Sequence, residues 1–250
     1  MSDMVAVRSI AVRASPSGDA EMVTEVVCGE RLVVLGRRGG WLRVVVPEHA
    51  SHLDPGGYPG WVDAGDGLVE RGAWEPAFVV VGENRACLPL GALLGEDEGK
   101  AVLPDGRPVE VDAGVLRRVG DPVGIGGHHL CLRLLGLPYR WGGTDSTRGM
   151  DCSGLVMRAM QLRGIRVPRD AEDQFASAPF RSGESWERAR VGDLVFFGEE
   201  ITHVGFYLGD GCYVSAKGED GGVSVRRVSE DGYVGFARYG GGCGEPGAAR

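Results

Sequence analysis

Apolar residues in the first 118 positions come in short runs: Val5-Ala6-Val7, Ile10-Ala11-Val12, Glu25-Val26-Val27, Arg31 to Leu35, Trp41 to Val46 and Gly60-Trp61-Val62. Turn formers such as Ser15-Pro16-Ser17-Gly18, Gly36 and Gly39-Gly40 separate them. Strand-length runs split by Gly and Pro every ~8–12 residues predict a small barrel or sandwich. After Trp74-Glu75-Pro76 the pattern restarts, with Phe78 to Val81, Ala101-Val102-Leu103 and Val109-Glu110-Val111. This predicts two small β units in tandem, 1–72 and 73–118, joined near residues 70–76. Neither carries a helical repeat.

Past residue 120 the period changes. Ile125 to Leu135, with Leu130, Leu134 and Leu135 apolar, fits an amphipathic helix closed by Gly136 and Pro138. A second helix is predicted from Cys152 to about Arg163, because Leu155, Val156, Ala159 and Leu162 fall on one face. Strands then return at Leu194–Phe197, Val204–Leu208, Cys212–Val214, Val223–Val225 and Phe236-Ala237. Helices followed by an antiparallel meander is an α+β order, here over 119–240. The glycine-rich stretch 241–250 reads as a disordered tail.

Composition narrows the partners. The 27 Lys and Arg against 35 Asp and Glu leave a formal charge of −8, which argues against a nucleic-acid partner. Glycine is 43 of 250 residues, far above the usual ~7%. Without a Gly-X-Y period, that excess means tight turns between short strands. The opening Met1-Ser2-Asp3-Met4-Val5 has neither a basic stretch nor an apolar core, and no apolar run reaches the ~18–20 residues of a membrane span. The expectation is a cytoplasmic protein without a membrane partner. The six cysteines are scattered with no C-x-x-C pair, so neither a disulfide framework nor a metal site is expected.

One cysteine has suggestive neighbours. Asp151-Cys152-Ser153-Gly154 opens the second helix, where unpaired backbone N–H groups and the positive end of the dipole favour a thiolate. Taken alone, a cysteine there is more often plain packing. Of the five histidines, His49 and His52 lie in a Pro/Gly-rich loop and read as surface residues. His128 and His129 are mid-helix, where at most one can face the core. His203, at the start of the strand Thr202 to Gly209, can reach a helix N-terminus packed on the sheet. A satisfied core histidine would fit that spacing equally well.

Several local motifs make the case specific. Pro138-Tyr139-Arg140-Trp141-Gly142-Gly143 precedes Asp151-Cys152-Ser153-Gly154-Leu155; Pro168-Arg169-Asp170 with Gln174, Gly192 to Phe197 and Thr202-His203-Val204-Gly205 follow in order. Over roughly 120–240 the sequence resembles the NlpC/P60 family of cell-wall cysteine peptidases. The first 118 residues look like two bacterial SH3 modules, through Gly29-Glu30, Gly40-Trp41 and Tyr58-Pro59-Gly60-Trp61-Val62. The arrangement is similar to the γ-D-glutamyl-L-diamino acid endopeptidases that recycle murein peptides.

The resemblance implies a papain-like α+β catalytic domain preceded by two SH3-like β-barrels, acting without metal or organic cofactor. It makes Cys152 the nucleophile and His203 the base, with Ser215 at the third catalytic position, usually a better acceptor such as His. A backbone carbonyl is the alternative orienter. Tyr139 would join the Cys152 N–H at the oxyanion. Trp141, Asp151, Ser153, Arg169 and Asp170 would hold L-Ala-γ-D-Glu, with Arg169 suited to a carboxylate and Asp170 to an ammonium. Tyr58 of the first module would select a free L-Ala amine, with Glu25, or else Glu21, as its acidic companion. The substrate would be L-Ala-γ-D-Glu-diamino acid, the diamino acid being diaminopimelate, lysine or ornithine. The rivals are a non-catalytic wall-peptide binder, favoured only by Ser215, and an amidase or acyltransferase on the same fold.

Overall fold

A computed structural model describes residues 3–65, 67–121 and 123–240; the predicted tail, 241–250, lies outside the described residues. The chain divides into two compact units, one of residues 1–121 with 141–148 and the other of 122–140 with 149–250. Among the described residues no helix is long and apolar enough to cross a membrane.

The first unit is built on short antiparallel strands. β1 (Asp3–Ala6), β2 (Ile10–Arg13), β3 (Met22–Val26), β4 (Arg31–Arg38), β5 (Trp41–Val46), β6 (Tyr58–Asp63) and β7 (Leu68–Glu70) form one sheet in the order β3-β2-β6-β5-β4-β1-β7. Alternate residues Ile10, Val12, Leu42, Val44, Val46, Tyr58 and Val62 point into one core with Ala6, Val26 and Leu32, the period-2 burial expected of strands with one wet face. Gly36 does not end β4 as the sequence suggested. A register shift between Val34 and Gly36 absorbs it and the strand runs on to Arg38. The expected joint also starts later, because Leu68–Glu70 pairs with β1.

The second β unit is a four-stranded sheet, β10-β9-β8-β11, made of β8 (Phe78–Val80), β9 (Leu93–Asp97), β10 (Lys100–Val102) and β11 (Leu116–Arg118). β9 and β11 hide from a sequence reading because Gly95, Glu96, Asp97, Arg117 and Arg118 break the apolar pattern. Val109–Val111, expected as a strand, has only an isolated bridge at Pro108; Pro has no N–H to extend a ladder. The core of this sheet, Val80, Ala92 and Leu94, takes Cys28 from the turn between β3 and β4. Gly29 permits that approach: its φ is +87°, and a Cβ there would lie 2.4 Å from the Leu93 carbonyl oxygen.

His49 departs from its expected place in a surface loop. It is fully buried, with Nδ1 2.9 Å from Thr24 Oγ1 and Nε2 3.2 Å from Glu30 Oε1. Glu30 Oε2 in turn accepts from the Val27 N–H at 2.7 Å. Buried polar groups need such partners, and three residues distant in sequence supply them to one another. The short strand β12 (Thr144–Asp145) also belongs to the first unit.

The second unit holds α1 (Gly127–Leu132), β13 (Gly149–Met150), α2 (Cys152–Leu162), α3 (Ala171–Ala176) and a six-stranded antiparallel sheet. The sheet runs β14-β19-β15-β16-β17-β18, from β14 (Phe180–Ser182), β15 (Leu194–Phe197), β16 (His203–Gly209), β17 (Cys212–Lys217), β18 (Gly222–Arg227) and β19 (Tyr233–Arg238). α1 is shorter than the predicted Ile125–Leu135. Its end tightens into i→i−3 bonds, Arg133 N–H to Leu130 O and Leu134 N–H to Cys131 O. His128 is buried and His129 exposed, as a mid-helix pair requires.

α2 starts and ends as the sequence predicts, but it is buried almost all round, Gln161 alone being only partly covered. It packs on β16 and β17. One sheet face carries the cluster Val195, Phe197, Tyr207, Tyr213, Val228 and Phe236. Asp193 ties the sheet across β15 and β19 by accepting two bonds from Arg238, at 2.7 and 2.6 Å.

Candidate active site

Cys152 is the first residue of α2, and the sequence fixes that start. Asp151 is the N-cap, in extended backbone, and its Oδ1 accepts from the Gly154 N–H at 2.7 Å. Arg169 grips the same carboxylate through both terminal nitrogens, at 3.0 Å to Oδ1 and 2.6 Å to Oδ2. Arg169 also donates to Ser153 Oγ at 2.9 Å. Gln174 of α3 donates to the carbonyls of Ser153 and Pro168. The Pro-Arg-Asp segment thus clamps the start of α2. Arg169 is 1% exposed and spends its terminal nitrogens on Asp151 and Ser153 in a buried ion pair. Asp170, half-buried, is the N-cap of α3.

The Cys152 sulfur lies beside the backbone N–H groups of Ser153 and Val204, which favour its thiolate together with the charge of Arg169. Burial, aided by Asp151, outweighs them and pushes the thiol up to about 12. Burial thus opposes the thiolate that the helix N-terminus favours. Tyr139 is close enough to feel Cys152 and Asp151; burial first, then their charge, pushes its hydroxyl up to about 12. A protonated phenol beside the sulfur is the right form for an oxyanion donor.

His203 begins β16, one residue before the Val204 N–H that faces the sulfur. Burial first, and then Lys217 and Arg226 against Asp231 and Asp220, hold its imidazole down to about 4. Burial thus favours the neutral form of both groups. The Nε2 of His203 is buried and has no hydrogen-bond partner among the described residues. Ser215 is buried, but its hydroxyl donates to the Val204 carbonyl at 2.5 Å. The expected hydrogen bond from the His203 ring N–H to the Ser215 hydroxyl is not made; the serine instead ties down the carbonyl of the residue that follows the histidine.

The other predicted ligands belong to the first unit. Tyr58 is 6% exposed and is part of the core of the seven-stranded sheet. Glu25 is fully buried; it accepts from the Thr144 N–H at 3.3 Å and pairs with Arg148 at 3.4 Å. Trp141 is 62% exposed, and its Nε1 donates to Glu21 Oε1 at 2.7 Å. Sequence reasoning missed the Val204 N–H and the partners of Tyr213 described below, because backbone groups and side chains brought together by register leave no local motif.

Known proteins resemble this chain in sequence and in fold. Residues 136–237 match the NlpC/P60 family and residues 8–67 the bacterial SH3 domain. A γ-D-glutamyl-L-lysine dipeptidyl-peptidase of Bacillus subtilis (strain 168) is 28% identical over 244 residues, covering 85% of this chain and 78% of the relative. A protein of the same name from Bacillus cereus is 26% identical, covering 86% and 73%. The crystal structure of an NlpC/P60 family protein from Bacillus cereus superposes with a TM-score of 0.82 at 20% identity, covering 95% of this chain and 99% of the other. The last likeness concerns the fold, the first two the sequence. With a cysteine opening the buried helix against the strand that carries the histidine, residues 136–237 form an NlpC/P60 peptidase domain, preceded by a bacterial SH3 domain over residues 8–67.

Proposed function

We propose that this peptidase cleaves the γ-D-glutamyl bond to the diamino acid in murein peptides, releasing L-Ala-D-Glu. The observation that carries the reading is the Cys152 sulfur at the α2 N-terminus, beside the Val204 N–H that follows His203. His203 takes the thiol proton as Sγ bonds to the γ-carbonyl carbon. Tyr139 O–H and the Cys152 N–H stabilise the oxyanion. The amine then leaves with the proton from His203, and water hydrolyses the thioester.

The relatives' names bring γ-D-glutamyl-L-lysine into the reading. A free L-Ala amine, with Tyr58, Glu25, Trp141 and Asp170 in the binding set, belongs to the same proposal. So does action on released wall fragments inside the cell. We also read the β8–β11 sheet as a second SH3-like module, on its short antiparallel strands around Val80, Ala92 and Leu94.

The test is incubation with L-Ala-γ-D-Glu-L-Lys and its diaminopimelate counterpart, followed by mass spectrometry. Release of L-Ala-D-Glu plus the free diamino acid, lost in Cys152→Ala, is the expected result. An acetylated amino terminus should slow cleavage at least tenfold; equal kcat/KM for the two forms would remove the free-amine and recycling parts. No cleavage of any γ-D-glutamyl tripeptide would overturn the substrate class.

A further inference from the structure

A dyad histidine works only if its ring is held in one orientation, and the far nitrogen usually has an acceptor that holds it. Here the buried Nε2 of His203 has no partner among the described residues, and Ser215 is engaged with the Val204 carbonyl. What the ring does have is a cage of aromatic surface. Phe197 is its cross-strand partner in the β15–β16 register, with ring centres 5.6 Å apart. Tyr213 of β17 meets it edge-on, at 6.0 Å and 73°. Phe197 and Tyr213 lie 4.6 Å apart, which closes a three-ring cluster. Edge-on and offset pairs of this kind have a preferred geometry, unlike aliphatic packing.

The cage is itself anchored. The Tyr213 hydroxyl donates to Asp231 Oδ2 at 2.6 Å. Asp231 also accepts from Arg226 Nε at 2.7 Å and Nη2 at 3.0 Å, and from Lys217 Nζ. Arg226 is fixed in turn by Asp220 at 2.6 Å. A carboxylate bound by four donors on three side chains leaves Tyr213 little freedom to tilt. We propose that Tyr213, locked by Asp231, is the positioning residue of His203, restraining by ring contact what a hydrogen-bonding third catalytic residue would otherwise orient. The inference rests on the proposed chemistry at Cys152 and His203.

Tyr213→Phe keeps the ring and cuts the anchor. The expected result is a kcat at least tenfold lower with KM within twofold, because orientation of the base counts in the transition state and not in substrate binding. The acid limb of kcat/KM should also move upward from near pH 4, as a looser ring readmits water to the imidazolium. The charged groups around the ring, Lys217, Arg226, Asp231 and Asp220, are unchanged by the substitution. Tyr233→Phe is the control: its ring lies 6.3 Å from Phe197 in the same cluster, and its hydroxyl donates to the Glu184 carbonyl. It should leave kcat and the limb where they are.

NMR titration of His203 in the Cys152→Ala background, at low temperature, gives the same reading without turnover if Tyr213→Phe is too unstable to assay. A kcat within twofold of the parent, a KM that rises as kcat falls, or an unmoved His203 titration would each overturn the assignment. His203→Ala separates the two levels. If it retains turnover, the dyad itself fails; if it is inactive while Tyr213→Phe is unaffected, only the positioning role does.

Discussion

Arg169 holds Asp151 through two hydrogen bonds in a place where neither has water to fall back on: their side chains are 1% and 10% exposed. Removing one partner leaves the other charge buried, which costs ~3–5 kcal/mol where such pairs have been broken. Arg169→Ala should lower the melting temperature sharply and, through the slackened N-cap, misplace Cys152. Arg169→Lys keeps the charge and loses the fork; it should recover part of the stability and little of the turnover. A variant with parent-like melting and parent-like kcat would show that the clamp is dispensable.

The pH dependence of activity follows from the imidazole. Its pKa is held down to about 4, so the base form is present at every pH above that. The rate constant kcat/KM should stay flat from pH 7 to about 5 and halve near pH 4, where an ordinary histidine would already fail near 6.5. The same shift has a stability sign. The fold prefers the neutral ring, so the unfolded chain binds the extra proton first, and stability falls as pH drops from 6.5 towards 4. Unfolding measured across that window in the parent and in His203→Gln should show a smaller loss in the variant.

Alkylation reports the other half of the pair. A thiol pushed up to about 12 is almost wholly protonated at neutral pH. Iodoacetamide should label Cys152 slowly at pH 7, and the rate should climb about tenfold for each pH unit above it. A fast plateau already reached at pH 7 would mean that the resting pair is an ion pair after all.

The buried histidine of the first sheet makes a separate prediction. His49→Phe fills the same space but takes away one hydrogen-bond partner each from Thr24 and Glu30. The loss should be ~1–3 kcal/mol for each polar group affected, read as a lower denaturation midpoint, with KM and kcat unchanged at temperatures where the protein is folded. His52→Phe, at an exposed position of the same loop, should have almost no effect.

What could be read from the chain without coordinates was whatever has a local period or a local motif. The helix at Cys152 was legible because Asp151 caps it and apolar residues recur at helical spacing; the strands from Leu194 to Ala237 were legible as short runs rich in β-branched and aromatic residues. β9 and β11 were not, since most of their residues are charged or glycine and only Leu93, Leu94 and Leu116 signal burial. His49 was misread for a related reason. A Pro/Gly-rich loop normally lies on the surface, and nothing near it in sequence announces Thr24 or Glu30 as partners. At the site, residue types pointed to Cys152 and His203, but not to Arg169 turning inward on Asp151 or Ser215 bonding to a carbonyl. Those outcomes depend on which acceptor lies nearest once the elements have packed.

Residues 141–148 group with the first unit although the chain on either side, up to Arg140 and from Gly149, belongs to the second. A gene fragment that begins at residue 122 would therefore carry Thr144 and Arg148 without the Glu25 that both engage. Shuffling this catalytic domain onto a different amino-terminal module would leave that loop without its cognate partner.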